Sequence, residues 1–373
     1  MPLFASSSPC SPHVWQDTMV RRSTRLWRVL RIAVVLGVVW LVYSATVDGD
    51  KLAAPVASSA VDVRPDLCRP HGWKRFRPKS PDKPRKVYDL LMVNTELDWL
   101  EIRLNSTFDA VDYFVLVEGR KTFTNLDKPL TLRANLGRFA PYKSKIIYHE
   151  IEYPPDFQPR TAWDMEDLQR NAMLTQVFPL LRGAHAPNRG DAIVVSDVDE
   201  IPRPSAFAVL RACQFPRRLT LRSRFYYYSF QWLHRGPDWA HPQATYYQGP
   251  RRTLRPNDLR IADGGLWPFR EWEKGELWNA SWHCSSCFAT VDELLNKMAS
   301  FAHTSMNADR FRDRKRIADR VRRGKDLWDR EGEVYDRVDD NVDVPSFLLE
   351  NKERFGYLLN RDGPNAGFAD YRE

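Results

Sequence analysis

The chain lacks the short motifs that announce the commonest nucleotide chemistries. It has no Gly-x-x-x-x-Gly-Lys loop to cradle phosphates and no Gly-x-Gly-x-x-Gly dinucleotide fingerprint. No Gly-x-Ser-x-Gly elbow marks a serine hydrolase. Helix-turn-helix, zinc-finger and RNA-recognition signatures are missing too, so the net charge of +8 has no nucleic-acid reading. The excess charge sits in a basic N-terminal flank and in the run 310–323, which reads as a solvated basic face. No internal repeat is present. Cysteine is scarce, five in 373 residues, with one Cys-x-x-Cys at Cys284 and Cys287. A structural zinc site needs four ligands, usually from two separated pairs. A zinc set of His283, Cys284 and Cys287 therefore yields to a disulfide.

What is present begins with a membrane signal. Arg21, Arg22, Arg25, Arg28 and Arg31 precede an apolar run over 32–47, closed by Asp48 and Asp50. With Val29 and Leu30 included and Arg28 and Arg31 snorkelling, the run reaches a spanning length. This predicts a cytoplasmic tail over 1–28, a transmembrane signal anchor over 29–47, a stem or linker over 48–85, and a lumenal domain over 86–373. The positive flank keeps the N-terminus cytoplasmic. A cleaved signal peptide is the rival, and the basic region is about twice as long as such a peptide uses. Cys68, Cys213, Cys284 and Cys287 then make an even number in an oxidising compartment, with three pairings open. Asn105 and Asn279 begin glycosylation sequons.

From residue 86 the pattern is regular. Apolar strands are predicted over 87–93, 112–117, 145–149 and 192–195, separated by helices over 96–104, 129–139 and 163–181. Strands alternating with helices mean βαβ units and a mostly parallel central sheet, an α/β fold whose ligands bind at strand carboxyl ends. Beyond Pro204 the chain becomes β-rich and aromatic over 219–230. A further strand is expected over 246–254 and helices over 292–301 and 308–321.

The strongest local signal is Ser196-Asp197-Val198-Asp199-Glu200, directly after the fourth strand. Two carboxylates two residues apart reach one divalent ion, and hard oxygen ligands suit Mn²⁺ or Mg²⁺. The competing reading is a pair of loop caps. His303 is a candidate to complete the metal shell or touch a phosphate. Arg170, beside Asn171 on the long helix, offers a phosphate-binding guanidinium or an intrahelical pair with Glu166. Glu118 ends the second strand, where a ligand would bind.

Taken together, the stretches over 94–104, 112–118, 169–171, 195–202 and 282–288 resemble glycosyltransferase family 17. The resemblance covers roughly residues 86–359. It implies a GT-A-like nucleotide-sugar-binding fold, UDP-N-acetylglucosamine as donor and Mn²⁺ as metal. It also implies inverting β-1,4 transfer of N-acetylglucosamine to a mannose of a glycoprotein N-glycan, and a single-pass type II Golgi membrane protein. Asp197 and Asp199 match its metal-binding pair; Glu118, Arg170 and Asn171 would meet the donor. Here Asp263 is separated from Trp282-His-Cys by a Trp-rich insertion carrying Glu271, Glu273 and Glu276, which bears on the acceptor. An inverting transfer needs one general base, and Asp263, Glu276 and His283 are the candidates. A glycosyltransferase of other donor or acceptor, and a non-catalytic lumenal carbohydrate-binding protein, are the alternative functions.

Overall fold

The computed structural model describes residues 66–78, 80, 83–263 and 269–372. The tail and the anchor expected over 1–47, with the first part of the stem, lie outside the described residues. Among the described residues no helix is long and apolar enough to cross a membrane.

Ten strands form one sheet: β1 Val87–Met92, β2 Tyr113–Glu118, β3 Ile146–Glu150, β4 Ala192–Ser196, β5 Glu200–Pro202, β6 Arg218–Tyr227, β7 Ser229–His234, β8 Gln243–Tyr246, β9 Lys274–Ser285 and β10 Tyr335–Arg337. Six helices matter here: α1 Leu97–Thr107, α2 Ala162–Thr175, α3 Pro204–Ala212, α4 Pro256–Arg260, α5 Val291–Ser300 and α6 Arg314–Arg322. The four strands expected from the βαβ pattern are neighbours, in the order β4-β1-β2-β3, and all run parallel.

Alternation along these strands explains the layers. Val87 and Leu91 of β1, Phe114 and Leu116 of β2, and Ala192 and Val194 of β4 share a core with Trp99, Leu100 and Leu104 of α1. Tyr88 and Leu90, Val115 and Val117, and Ile193 and Val195 point the other way and join Ala172 and Met173 of α2. A sheet covered by helices on both faces needs such continuously apolar strands. The helix α2 starts on a reciprocal cap, the Thr161 hydroxyl accepting from the Asp164 amide while Asp164 caps the Thr161 amide. Thr290 and Glu293 do the same for α5.

The expectation of a mostly parallel sheet is corrected: the sheet is mixed. β8 runs antiparallel to both β4 and β6, β7 to both β6 and β10, and β5 to β9. The reason is connectivity. β6 turns into β7 through Tyr228 alone, at φ 63°, and no crossover helix intervenes to restore a parallel direction. The strand expected over 246–254 is also corrected. The ladder occupies Gln243–Tyr246, and the chain then turns at Gly249 and Pro250. The helix expected over 129–139 is a single turn, Thr131–Ala134, followed by 3₁₀ structure over Leu136–Lys145.

A third core lies beneath the antiparallel half, where Tyr227, Tyr228 and Trp232 meet Val291, Leu294 and Met298 of α5 and Ile317 and Val321 of α6. The arginine run behaves as a paired basic face: Arg314 bonds Asp292 and Asp370, while Arg316 and Arg320 meet Asp329. From residue 66 onward the stretch read as stem is tied down. Cys68 is bonded to Cys213 and Trp73 packs on the main core. The second disulfide joins Cys284 and Cys287, which resolves the open pairings and leaves no thiolate for zinc in that set.

Candidate active site

A cavity of about 1050 Å³ opens where β1, β2 and β4 end, and its far wall is the antiparallel half of the sheet. Met92 ends β1 at it and Val93 and Asn94 follow, Lys121, Thr122 and Phe123 follow β2, and Asp197, Val198, Asp199 and Glu200 follow β4. The strand-end placement predicted for the acidic tip is thus what the fold delivers.

The tip is built on a buried guanidinium. Arg103 of α1 and Asp89 of β1 are both fully buried. Arg103 donates from Nε to Asp89 Oδ2 at 2.8 Å and from Nη2 to Asp89 Oδ1 at 2.7 Å. It also reaches Ser196 Oγ at 2.6 Å, the Asp197 carbonyl at 3.1 Å and the Glu200 carbonyl. A single side chain therefore holds the first and last backbone carbonyls of the tip.

The carboxylates differ in their partners. Asp197 accepts from Arg170 Nη1 at 2.9 Å and from Arg260 Nη2 at 2.7 Å. Glu200, fully buried, accepts from both terminal nitrogens of Arg260 at 2.8 Å, from Trp239 Nε1 at 2.8 Å and from the Asp197 amide at 3.0 Å. Burial alone would raise both carboxyls. Arg260 outweighs it, aided by Arg170 at Asp197, and holds Asp197 below and Glu200 well below the ordinary carboxylate range. Asp199 is held more loosely, with Lys297 Nζ at 3.5 Å and His283 Nδ1 at 3.7 Å.

His283 is the candidate base that the structure brings to this cavity. Its ring packs against both Phe225 and Trp239, with centroids 5.1 Å away and planes tilted by 15° and 22°, and those two rings also touch each other, 5.4 Å apart. Nδ1 lies 3.4 Å from the Asp199 carbonyl. Asp263 and Glu276 are not brought there. Asp263 is exposed and paired with Arg270, and Glu276 lies on the exposed edge of β9 paired with Arg222. Neither is among the cavity-lining residues.

The other sequence candidates divide likewise. Arg170 lines the cavity and makes the expected pair with Glu166, at 2.6 Å. Asn171 lies behind the wall: its Oδ1 accepts from the Asn257 amide at 3.0 Å and so seats α4, whose last residue is Arg260. Glu118 is fully buried and caps the helical turn at 131–134, accepting from the Leu132 amide at 2.8 Å, the Arg133 amide at 3.1 Å and the Tyr148 hydroxyl at 3.2 Å. His303 stands exposed at the cavity rim, edge-on to Trp163 at 5.0 Å.

Among the described residues, no three His, Cys, Asp or Glu side chains are grouped to hold a metal ion. An ion that borrows most of its shell from phosphate and water needs only one or two carboxylates. Asp199, facing the cavity with its oxygens loosely engaged, fits that role; Asp197 is committed to its two arginines. Sequence reasoning passed over Arg103, Arg260, Lys297 and Trp239. Their roles arise from packing, and only the aromatic enrichment of 219–230 hinted at the ring stack that holds His283.

Residues 56–363 match the family model described as glycosyltransferase family 17. The chain is 27% identical over 302 residues to a human protein named beta-1,4-mannosyl-glycoprotein 4-beta-N-acetylglucosaminyltransferase, covering 74% of this chain and 55% of that protein. It is 27% identical over 301 residues to the protein of that name from Rattus norvegicus and 26% over 299 to that from Mus musculus, with the same coverage. The chain thus spans about half the length of the curated relatives it matches.

Proposed function

The chain belongs to glycosyltransferase family 17, and from that premise we propose that it transfers N-acetylglucosamine from UDP-N-acetylglucosamine to a mannose of a glycoprotein N-glycan, in β-1,4 linkage and with inversion. One observation carries the reading. A cavity large enough for a nucleotide sugar and part of an acceptor places the Asp197–Glu200 tip among Arg170, Arg260 and Lys297, at the carboxyl ends of parallel strands. A GT-A-like site uses such a tip for a sugar diphosphate.

Asp199 would hold Mn²⁺ or Mg²⁺, and a bound ion would offset the charge that develops on the leaving diphosphate. The protein's own groups do the rest. Arg103 fixes the tip backbone, and Arg170 and Arg260 keep Asp197 ionised and oriented. An inverting displacement breaks the bond from the anomeric carbon to the diphosphate oxygen as the acceptor hydroxyl attacks from the opposite face. The hydroxyl proton must leave in the same step. His283 would take it. A proton on Nδ1, aimed at the Asp199 carbonyl, makes Nε2 the basic nitrogen. Contact with Phe225 and Trp239 restrains the ring.

The names of the relatives support the donor and acceptor assignment, and the two disulfides support an oxidising, lumenal compartment such as the Golgi. Anchoring by residues 29–47 as a type II membrane protein completes the proposal. The test is a panel of sugar nucleotides offered with Mn²⁺ and an N-glycan. The expected result is transfer from UDP-N-acetylglucosamine alone. Preference for another sugar nucleotide would reassign the donor. Glycan binding without turnover of any of them would make this a carbohydrate-binding protein.

A further inference from the structure

The cavity wall carries a cation that the chemistry above leaves unused. After β2 the chain makes a narrow excursion. Thr122 donates to the Leu126 carbonyl at 2.8 Å, Lys128 donates its amide to the Arg120 carbonyl at 2.9 Å, and Lys121 pairs with Asp127 at 2.7 Å. The tip of the excursion is tied to α5, with the Phe123 amide 3.2 Å from the Ser300 carbonyl and Thr124 Oγ1 3.0 Å from the Ala299 carbonyl. Its base is tied to α2 by Gln169 Nε2, 2.9 Å from the Lys121 carbonyl. The backbone of Lys128 is therefore fixed, and its side chain borders the cavity.

That side chain is 11% exposed, and its Nζ is buried without a hydrogen-bond partner. Glu118 Oε1 stands 3.9 Å away, beyond hydrogen-bond reach, and that carboxylate already serves two amides and a phenol. Burial pushes the Lys128 ammonium below the ordinary lysine range, against the pull of Glu118 and Glu96. An ammonium carries three donors and no acceptor, and burying it without a hydrogen bond is unfavourable unless something supplies oxygens. Arg170 Nε, on the same cavity, is also buried without a hydrogen-bond partner.

Position indicates which oxygens. The acidic tip follows β4, β1 comes next, and Lys128 belongs to the loop after β2. Two strand spacings are about 10 Å. With the diphosphate at the tip, the far end of the ligand lies near Lys128. We propose that Lys128 binds the donor through its nucleoside, its ammonium donating to a carbonyl or hydroxyl oxygen of the base or ribose rather than to the phosphates. The inference rests on reading this cavity as a nucleotide-sugar site.

The experiment compares the full chain with its Lys128→Met and Lys128→Gln variants by calorimetric titration with UDP, UMP and pyrophosphate in the presence of Mn²⁺, and by thermal unfolding without ligand. Losing one charge-assisted hydrogen bond should weaken UDP binding about ten- to a hundredfold in Lys128→Met. UMP should weaken by the same factor and pyrophosphate should not change. Lys128→Gln, which keeps a donor, should fall between and serves if the methionine variant does not fold. Unliganded Tm should fall in Lys128→Met, because the fully buried Glu118 loses the cation beside it, so the assignment rests on the ligand arms. Equal weakening of pyrophosphate would overturn the nucleoside assignment. A lowered Tm with unchanged UDP affinity would show that Lys128 is structural. If the unaltered chain bound no UDP at all, the nucleotide-sugar reading itself would fail, and this inference with it.

Discussion

Replacing Arg103 by Met tests how the site is supported. Asp89 and Arg103 are both inaccessible to solvent, and the guanidinium makes two bonds to Asp89, one to the Ser196 hydroxyl and two to tip carbonyls. Arg103→Met strands a carboxylate in an apolar layer between Val87 and Leu91 and leaves both carbonyls without this donor. Breaking a buried pair from one side costs about 3–5 kcal/mol. That is a large share of the ~5–15 kcal/mol that stabilises a typical domain. Removing both charges behaves differently, since an apolar pair of similar volume is often no less stable. The double variant Asp89→Leu/Arg103→Met should therefore recover most of the loss in stability. Its tip would still lack support, so UDP affinity should stay reduced. Urea unfolding followed by tryptophan fluorescence at pH 7, with UDP titration of each variant, reads both effects. A loss under about 1 kcal/mol in Arg103→Met, or full UDP affinity in the double variant, would refute the argument.

Two other outcomes follow. His283→Ala should lower transfer by about 10²- to 10⁴-fold, as loss of a general base does, while leaving UDP affinity within a few-fold; a parallel loss of UDP binding would place His283 in donor binding instead. The second concerns acid stability, through Arg354, which docks the C-terminal segment on α1. It meets Asp98 at 2.9 Å and Glu101 at 2.8 and 3.0 Å. Burial alone would raise both carboxyls, but Arg138 and Arg354 outweigh it and hold them below their usual values. A depressed folded pKa stabilises above the unfolded value, about 4, and that contribution is lost as pH falls through the folded pKa. The Tm difference between the unaltered chain and Arg354→Met should thus be constant from about pH 7 to 5 and close below about pH 4. A difference that widened in acid would contradict the sign.

The parallel half of the fold was legible because its strands are buried on both faces. Val87, Leu90, Leu91, Val115, Val117, Val194 and Val195 leave no polar alternation to misread. The antiparallel half was harder to read. β9 mixes buried Leu277 and Trp282 with exposed Glu276 and Trp278, and its partners β5 and β6 are chosen by tertiary packing. At the site, Asp197 and Asp199 could be found because they follow an apolar strand directly. Glu118 occupies an equivalent position, yet it serves a helical turn fourteen residues on, a partner visible only after folding. Arg103, Arg260 and Lys128 are ordinary basic residues in sequence. Only burial, beside particular oxygens or beyond hydrogen-bond reach of any, distinguishes them.

The most direct measurement of the central claim is turnover of UDP-N-acetylglucosamine with Mn²⁺ by the double variant Asp197→Asn/Asp199→Asn. The substitutions keep shape while removing charge from the tip. Asp199 would lose its formal charge toward the ion, and Asp197 would lose the anion that Arg170 and Arg260 orient. Loss of electrostatic stabilisation at a developing negative charge costs on the order of 10²-fold or more. The account predicts that loss, with any fall in Tm traceable to the pairs that Asp197 gives up with Arg170 and Arg260. Turnover equal to that of the unaltered chain would contradict it and leave Asp197 and Asp199 as loop caps.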